Sequence, residues 1–209
     1  MYYTPEELLL RLKREHPELS VCSDTIREIY GILKTCFNAK GKLLLCGNGG
    51  SAADCDHIVA ELMKGFLLAR PIPAEFAKNP ALDGEGELLQ GALPAISLVA
   101  QNALSTAYAN DVEADMVYAQ KVYGLGQPGD VLIGISTSGN ATNVCRALRV
   151  ARAKGMKTIG FTGENGGCML KLCDICLRVP AVETYRIQEM HLPAYHALCA
   201  MLETAFFSP

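Results

Sequence analysis

The feature that most constrains this fold is a pattern that occurs twice: a short apolar run, a turn of small polar residues, and a helix-like segment. In the first copy, residues 42–46 (KLLLC) precede the first turn, residues 47–51 (GNGGS). In the second copy, residues 131–135 (VLIGI) precede the second turn, residues 136–140 (STSGN). A five-residue apolar run that ends in such a turn predicts a buried strand. Strands that alternate with helices predict a parallel sheet.

Three further apolar runs suit the same sheet, at residues 95–99, 158–162 and 175–179. Because crossovers between parallel strands are right-handed, five such strands predict a three-layer, doubly wound (flavodoxin-like) α/β sandwich. With 209 residues, half of them apolar, the chain is long enough for one domain of this kind. We expect N-terminal helices over residues 1–39 and the sandwich over residues 40–209.

Helical patterns stand at both ends of the chain. Residues 4–39 begin with the sequence TPEE, a favourable helix start, and continue with apolar residues at helical spacing. A last helix is expected over roughly residues 183–206. Between them, residues 69–94 are rich in proline and glycine, and a loop of this length is usually functional or disordered. A lid over a pocket and an interface element are both compatible with it.

The composition excludes several classes of function. The net charge is -3 without a basic block, so direct nucleic-acid binding is not expected. The apolar runs are short, so no membrane span is expected, and the charged N-terminus lacks the apolar region of a signal peptide. The nine cysteines are odd in number and often lie inside apolar runs, which suits a reducing compartment. We therefore expect a cytoplasmic protein.

Cys173 and Cys176 form a CxxC motif with two interpretations. The motif could be half of a zinc site or a redox pair, but the sequence has no second cysteine pair at matching spacing. It also runs into the strand predicted at residues 175–179, where alternate side chains point to opposite faces. Core packing is therefore the favoured interpretation.

The two turns are candidates for ligand binding, because ligands of open α/β sheets bind outside the carboxyl ends of the strands. In the second turn, three hydroxyls precede a helix N-terminus, which suits a phosphate group, and Gly139 allows close approach. In the first turn, Ser51 is expected to cap the next helix. Either turn alone could be a tight connection only, but two in one sheet favour a phosphate site. Because GxGxxG and the P-loop pattern are absent, no nucleotide cofactor is expected.

Polar residues on two predicted helices could complete such a site. His57 and Glu61 are four residues apart on one helix face, where they could bind a metal, carry protons or form only a surface hydrogen bond. On the last helix, Gln188 and His196 are eight residues apart, about 12 Å along an unbroken helix. Either Pro193 distorts this helix, or the two side chains contribute to sites in different subunits.

Together, these residues resemble the phosphoheptose isomerases, also called sedoheptulose 7-phosphate isomerases, of the SIS (sugar isomerase) superfamily. The motifs that carry the resemblance are GNGGS at 47–51, His57 with Glu61, STSGN at 136–140, and RIQE at 186–189 with His196. The resemblance implies a ketose–aldose isomerisation between sedoheptulose 7-phosphate and D-glycero-D-manno-heptose 7-phosphate through an enediol. It also implies a homotetramer with active sites at subunit interfaces and one zinc ion in each subunit.

The resemblance further implies a role for each matching residue. Glu61 would be the catalytic base and His196 the catalytic acid of the enediol chemistry. A carboxylate held by zinc is a weaker base, so the zinc would be structural or would leave during turnover. The zinc ligands would be His57, Glu61, Gln188 and His196. The phosphate and sugar contacts would come from Asn48, Gly49, Gly50, Ser51, Glu61, Gln101, Ser136, Thr137, Ser138 and Gln188.

Departures from the family pattern leave the exact sugar open. Gln101 stands where the family usually has an aspartate, Ala141 stands where a serine is common, and the segment before Pro94 is longer than usual. An isomerase or a sensing domain for another phosphosugar is therefore an alternative.

A second alternative is a non-catalytic protein. The bacterial tetramer that binds the replication initiator DnaA resembles phosphoheptose isomerases and has a segment like residues 186–191 (RIQEMH). That family does not keep the glutamate and histidine that match Glu61 and His196. Because this chain has both, the sequence favours an enzyme.

Overall fold

A single sheet of five parallel strands forms the centre of the protein. The computed structural model describes residues 3–208. The order of the strands is β2-β1-β3-β4-β5. They are β1 (Leu43–Gly47), β2 (Ala95–Ser97), β3 (Val131–Ile135), β4 (Lys157–Thr162) and β5 (Ile175–Arg178). Each of the five predicted apolar runs forms one of these strands.

Helices cover both faces of this sheet, because alternate residues of each strand point into two separate apolar cores. Leu43 and Leu45 pack on one side with α1, α2, α3 and α8, whereas Leu44 and Cys46 pack on the other side with α6 and α7. The three-layer, doubly wound fold class is therefore confirmed. The helices are α1 (Pro5–Glu15), α2 (Ser23–Asn38), α3 (Gly50–Met63), α4 (Ala74–Ala77), α5 (Asn102–Tyr108), α6 (Val117–Leu125), α7 (Thr142–Ala153) and α8 (Thr184–Phe207).

The N-terminal region is helical but not continuous. Thr4 caps α1 through reciprocal hydrogen bonds with Glu7. The helix ends before Pro17, which begins a short 3-10 segment, and α2 follows at Ser23. Because proline disfavours a helical conformation at the residue before it, the helical pattern of residues 4–39 folds as two helices.

The segment of residues 69–94 contains α4 and two 3-10 turns. Its base is tied to the core by Arg70, whose guanidinium is buried and donates to the Glu203 carboxylate at 2.7 Å. The same guanidinium donates to the carbonyls of Leu62 and Glu61 at the end of α3. The sequence predicts a long loop here, whereas the segment contains short helical turns and is anchored directly behind α3.

The geometric expectation for the CxxC motif is wrong. Cys173 precedes β5, so strand alternation does not separate its thiol from that of Cys176. Both sulfurs lie beside Gly160 of β4, and the Cys176 thiol donates to the Met169 carbonyl at 3.7 Å. Both side chains pack against the apolar core under α7. Their role as packing residues is therefore supported by these contacts and not by the alternation of side chains along a strand.

Candidate active site

The two turns lie side by side at the carboxyl edge of the sheet. β1 and β3 are neighbours in register, with Gly47 opposite Ile135. The side-chain amides of Asn48 and Asn143 exchange two hydrogen bonds of 2.9 Å and so join the turns. Both predicted phosphate-binding segments therefore share one edge, as the topology of such sheets requires.

The second turn has the geometry of an anion site. Helix α7 begins at Thr142, and its N-cap residue Ala141 makes no side-chain hydrogen bond to the first turn, where only the Val144 N–H, among the described residues, donates to a side chain, Asn143 Oδ1 at 2.9 Å. Thr137 is half-buried and Ser138 is exposed beside this helix end, whereas Ser136 is buried and its hydroxyl accepts from Ala141 N–H at 3.4 Å. Free N–H groups at a helix N-terminus, with hydroxyls next to them, suit a phosphate group.

The first turn places its serine differently from the expectation. Helix α3 begins at Gly50 with Gly49 as the N-cap residue, at a φ of 56°. Ser51 lies inside the first helical turn and is 3% exposed, so the prediction that it caps the helix is wrong. Asn48, Gly49 and Gly50 are exposed, and the helix N-terminus is open to a ligand.

Helices α3 and α8 lie side by side and run in the same direction. The Gln188 carboxamide lies against Gly50, where an added Cβ would be 2.5 Å from Gln188 Nε2. About two turns further along, His57 contacts His196. Because α8 continues through Pro193 without a break, Gln188 and His196 stay about 12 Å apart along its axis.

His57, Glu61 and His196 form a compact group, which we call the His–Glu cluster. His57 Nε2 is 3.1 Å from Glu61 Oε1 and 3.4 Å from His196 Nε2. One nitrogen or oxygen atom from each residue lies within 4.8 Å of the others. The structure thus brings together both predicted catalytic residues and three of the four predicted zinc ligands.

The cluster has the donors that a divalent metal requires. Two imidazole nitrogens and one carboxylate match the ligands that zinc takes in proteins. Glu61 Oε2 is buried and, among the described residues, has no hydrogen-bond partner, since the Lys64 ammonium stays 3.9 Å away. A buried carboxylate oxygen without a partner is unfavourable, and a bound cation would satisfy it.

Burial and neighbouring charge shift the ionisation of groups at the cluster. Burial lowers the pKa of His196, with a smaller contribution from His57, and the Glu61 carboxylate partly offsets both. Burial raises the pKa of Asp54, which lies one turn before His57, and a hydrogen bond from Tyr195 partly offsets it. The His196 imidazole is therefore biased toward its neutral form, which can both accept and donate a proton.

Comparison with known proteins gives the family. The phosphoheptose isomerase of Rhodospirillum rubrum is 39% identical over 190 residues, which cover 91% of this chain and 90% of that protein. The chain belongs to the phosphoheptose isomerase family. The enzyme of that name from Maridesulfovibrio salexigens is 44% identical over 166 residues, 79% of this chain and 71% of that protein.

The solved structures and the domain match agree with this family. The phosphoheptose isomerase of Neisseria gonorrhoeae has a TM-score of 0.74 and 33% identity, and the match covers 93% of this chain and 92% of that one. Residues 84–163 match the SIS domain. The sequence-based assignment to this superfamily is therefore confirmed.

Gln101 and Ala141, the two departures from the phosphoheptose isomerase pattern, lie at helix starts near the sheet edge. Gln101 is the N-cap residue of α5, and its carbonyl accepts from the buried Lys121 ammonium at 3.3 Å. Ala141 is the N-cap residue of α7 and offers no hydroxyl to a phosphate there. The assignment of Gln101 to the substrate site stays a prediction.

Sequence reasoning missed two groups of residues around the His–Glu cluster. Tyr195 and Asp54 form a hydrogen-bonded chain behind His57. Their only sequence signals are that Tyr195 is adjacent to His196 and that Asp54 lies three residues before His57. A cavity of 230 Å³ opens beside His196 between α1 and α8, and Arg11 and His16 line it. His16 was not expected near the site, because nothing in the sequence pairs α1 with α8.

Among residues 3–208, no helix has both the length and the apolar character needed to cross a lipid bilayer.

Proposed function

We propose that this chain is a phosphoheptose isomerase that interconverts sedoheptulose 7-phosphate and D-glycero-D-manno-heptose 7-phosphate. The observation that carries this proposal is the His–Glu cluster, where the carboxylate of Glu61 and the imidazole of His196 converge from two helices. Moving a carbonyl between C1 and C2 requires one group for carbon-bound protons and one for oxygen-bound protons. The cluster supplies one of each.

Glu61 is the base in this proposal. In the direction from ketose to aldose, its carboxylate removes a proton from C1, and the electrons of that bond form the C1–C2 double bond of the enediol. The same carboxylate then returns the proton to C2. Its side chain is 12% exposed, so little water competes with the substrate for it.

His196 moves the oxygen-bound protons. Its imidazole donates a proton to the C2 carbonyl oxygen as the enediol forms and accepts the proton of the C1 hydroxyl as the aldehyde forms. Phe66 lies against the ring at a centroid distance of 5.5 Å and limits access of water from that side.

The two turns hold the phosphate in this proposal. Hydroxyls of Thr137 and Ser138, together with the first two N–H groups of α7, provide charge-assisted hydrogen bonds to phosphate oxygens. The Asn48–Asn143 amide pair keeps the first turn next to this anion site. Gln188 lies against Gly50 of the first turn, at the same end of α3, where it can contact the sugar.

We propose zinc as the metal of the cluster, with His57, Glu61 and His196 as its ligands. When bound, zinc would stabilise negative charge that develops on substrate oxygens. Gln188, the fourth ligand predicted from the family, lies near the first turn of the same chain. It can complete this set only in another arrangement of the helices or from a neighbouring subunit.

The position of Gln188 also favours a site shared between subunits. Gln188 lies against Gly50, about 12 Å along α8 from His196, so it is far from the other predicted zinc ligands of its own chain. Exposed apolar side chains, including Leu67 and Leu192, lie on the elements around the cluster. We propose a homotetramer with interfacial active sites, located in the cytoplasm.

The test is direct observation of the reaction. Purified protein is incubated with sedoheptulose 7-phosphate, and the aldose is followed by NMR with and without a chelator. We expect the aldose signal to appear and to need both Glu61 and His196. A parallel incubation with other ketose phosphates tests the alternative sugars that Gln101 and Ala141 leave open. If the chain binds the phosphosugar but none of these ketoses turns over, the enzyme proposal is wrong.

A further inference from the structure

Behind His57, on the side away from Glu61, a buried tyrosine joins the imidazole to a carboxylate. Tyr195 is 1% exposed, and its hydroxyl oxygen is 2.9 Å from His57 Nδ1 and 3.3 Å from Asp54 Oδ1. The phenol ring meets the imidazole edge to face, at a centroid distance of 5.5 Å. Each ring nitrogen of His57 therefore has its own polar neighbour.

The number of protons that each group can donate determines the direction of these two hydrogen bonds. The Asp54 carboxylate has only acceptors, so the contact with Tyr195 requires the phenol to donate. A hydroxyl has one proton, so a phenol that donates to Asp54 can only accept from His57. His57 then carries its proton on Nδ1, and the lone pair of Nε2 points at Glu61 and His196.

The opposite arrangement has a different consequence. If the phenol donates to His57 Nδ1, the ring proton sits on Nε2 and donates to Glu61, and Nε2 cannot hold a cation. A hydrogen bond to a charged acceptor is stronger than one to a neutral acceptor, so Asp54 favours the first arrangement. In that arrangement a lone pair faces a carboxylate at 3.1 Å, an unfavourable contact that a bound cation would relieve.

We propose that Tyr195 and Asp54 are positioning residues that hold His57 in the Nδ1–H tautomer and so prepare Nε2 to bind a divalent cation. The inference rests on the metal site of the proposed function and adds the residues that determine its affinity. Removal of a partner of this kind behind a ligating histidine typically weakens metal binding by roughly 10–100-fold.

The first test is zinc affinity of the full-length protein, measured by calorimetry. Tyr195→Phe removes only the hydroxyl and is expected to weaken zinc binding roughly 10–100-fold. Tyr118→Phe is the matched control, because Tyr118 is also buried and donates its hydroxyl to a backbone carbonyl away from His57, that of Gly47. We expect this control to bind zinc as tightly as the wild type. Wild-type affinity in Tyr195→Phe would overturn the proposal.

The second test reads the tautomer itself in metal-free protein. Ring nitrogen shifts of His57, assigned among the four histidines by a His57→Gln variant, report which nitrogen carries the proton. We expect the Nδ1–H form to decrease in Tyr195→Phe and in Asp54→Asn, and an unchanged tautomer in both would contradict the inference. If Tyr195→Phe does not fold, Asp54→Asn alone decides. If the wild type binds no zinc, the metal site of the proposed function fails, whereas the tautomer measurement still decides this inference.

Discussion

The two strand–turn–helix units of this protein follow the same pattern but end in different chemistry. In the second unit, β3 leads through the second turn into α7, whose buried residues are apolar or small: Val144, Cys145, Ala147, Leu148 and Ala151. In the first unit, β1 leads into α3, which carries Asp54, His57 and Glu61 along the face that meets α8. One pattern thus produces one unit whose helix buries no charged residue and another whose helix carries three ionisable groups toward α8.

The turns themselves differ in packing as much as the helices differ in chemistry. Gly49 of the first turn has open space around its Cα, whereas Gly139 of the second turn packs against the backbone of Gly166. Both have positive φ angles, 56° and 66°. The second turn is therefore packed against the loop at Gly166, whereas Gly49 of the first turn faces open space.

The largest expected effect separates the reactive unit from the binding unit. Glu61→Gln removes the base while keeping the side-chain shape, so we expect kcat to fall by at least about 1,000-fold with phosphosugar affinity retained. Glu113→Gln, a half-exposed glutamate near Arg146 of the second unit, is the control and should keep full activity. Steady-state kinetics checks both. Normal turnover in Glu61→Gln would remove the distinction between the units.

The next prediction compares how much alanine at Gly139 and alanine at Gly49 lower the free energy of unfolding. Gly139→Ala must place a Cβ against the Gly166 carbonyl at a positive φ, so we expect it to lower the free energy of unfolding by about 3 kcal/mol or more. Gly49→Ala meets only the cost of its backbone conformation, φ 56° with ψ -124°, about 1–3 kcal/mol. Urea unfolding monitored by circular dichroism measures both. Equal losses would show that the second turn is not the better supported one.

A smaller effect concerns phosphate binding by the second turn. Ser138→Ala removes an exposed hydroxyl beside the α7 N-terminus, so we expect KM to rise about 10-fold with little change in kcat. Thr35→Val, which also loses an exposed hydroxyl but on α2, is the control and should keep the wild-type KM for the phosphosugar. A fall in kcat alone for Ser138→Ala would place this serine at the reacting carbons instead.

The smallest effect tests whether the two turns are coupled. The Asn48–Asn143 amide pair is exposed, so a double-mutant cycle with alanine at both positions should give a coupling energy of about 0.5–1 kcal/mol in unfolding. A coupling energy of zero would mean that the turns are held side by side by the sheet alone.

The sheet was predictable because β1 and β3 are buried apolar runs that end in turns containing glycine, and this pattern needs no tertiary information. The His57–Glu61 pair was also predictable, since i and i+4 residues meet on any helix. By contrast, the errors concern local geometry that depends on neighbours. Ser51 falls inside α3 because Gly49 takes the cap position, and Cys173 escapes strand alternation because β5 starts two residues later.

The contacts that sequence reasoning could not reach are those between distant segments. Tyr195 contacts His57 only because α8 packs parallel to α3, and nothing in the spacing of either helix encodes that register. The same packing determines that Gln188 meets Gly50 while His196 meets His57. α8 continues helically through Pro193, so Gln188 and His196 remain on one helix, and the alternative that they serve different subunits stays a prediction.

The most direct test of the His–Glu cluster is proton NMR of sedoheptulose 7-phosphate incubated with wild-type protein and with Glu61→Gln. We expect the anomeric signal of an aldose heptose phosphate to appear with the wild type. We expect no such signal with the variant, although the variant still binds the phosphosugar. Aldose formation at equal rates by both proteins would contradict the role of the His–Glu cluster.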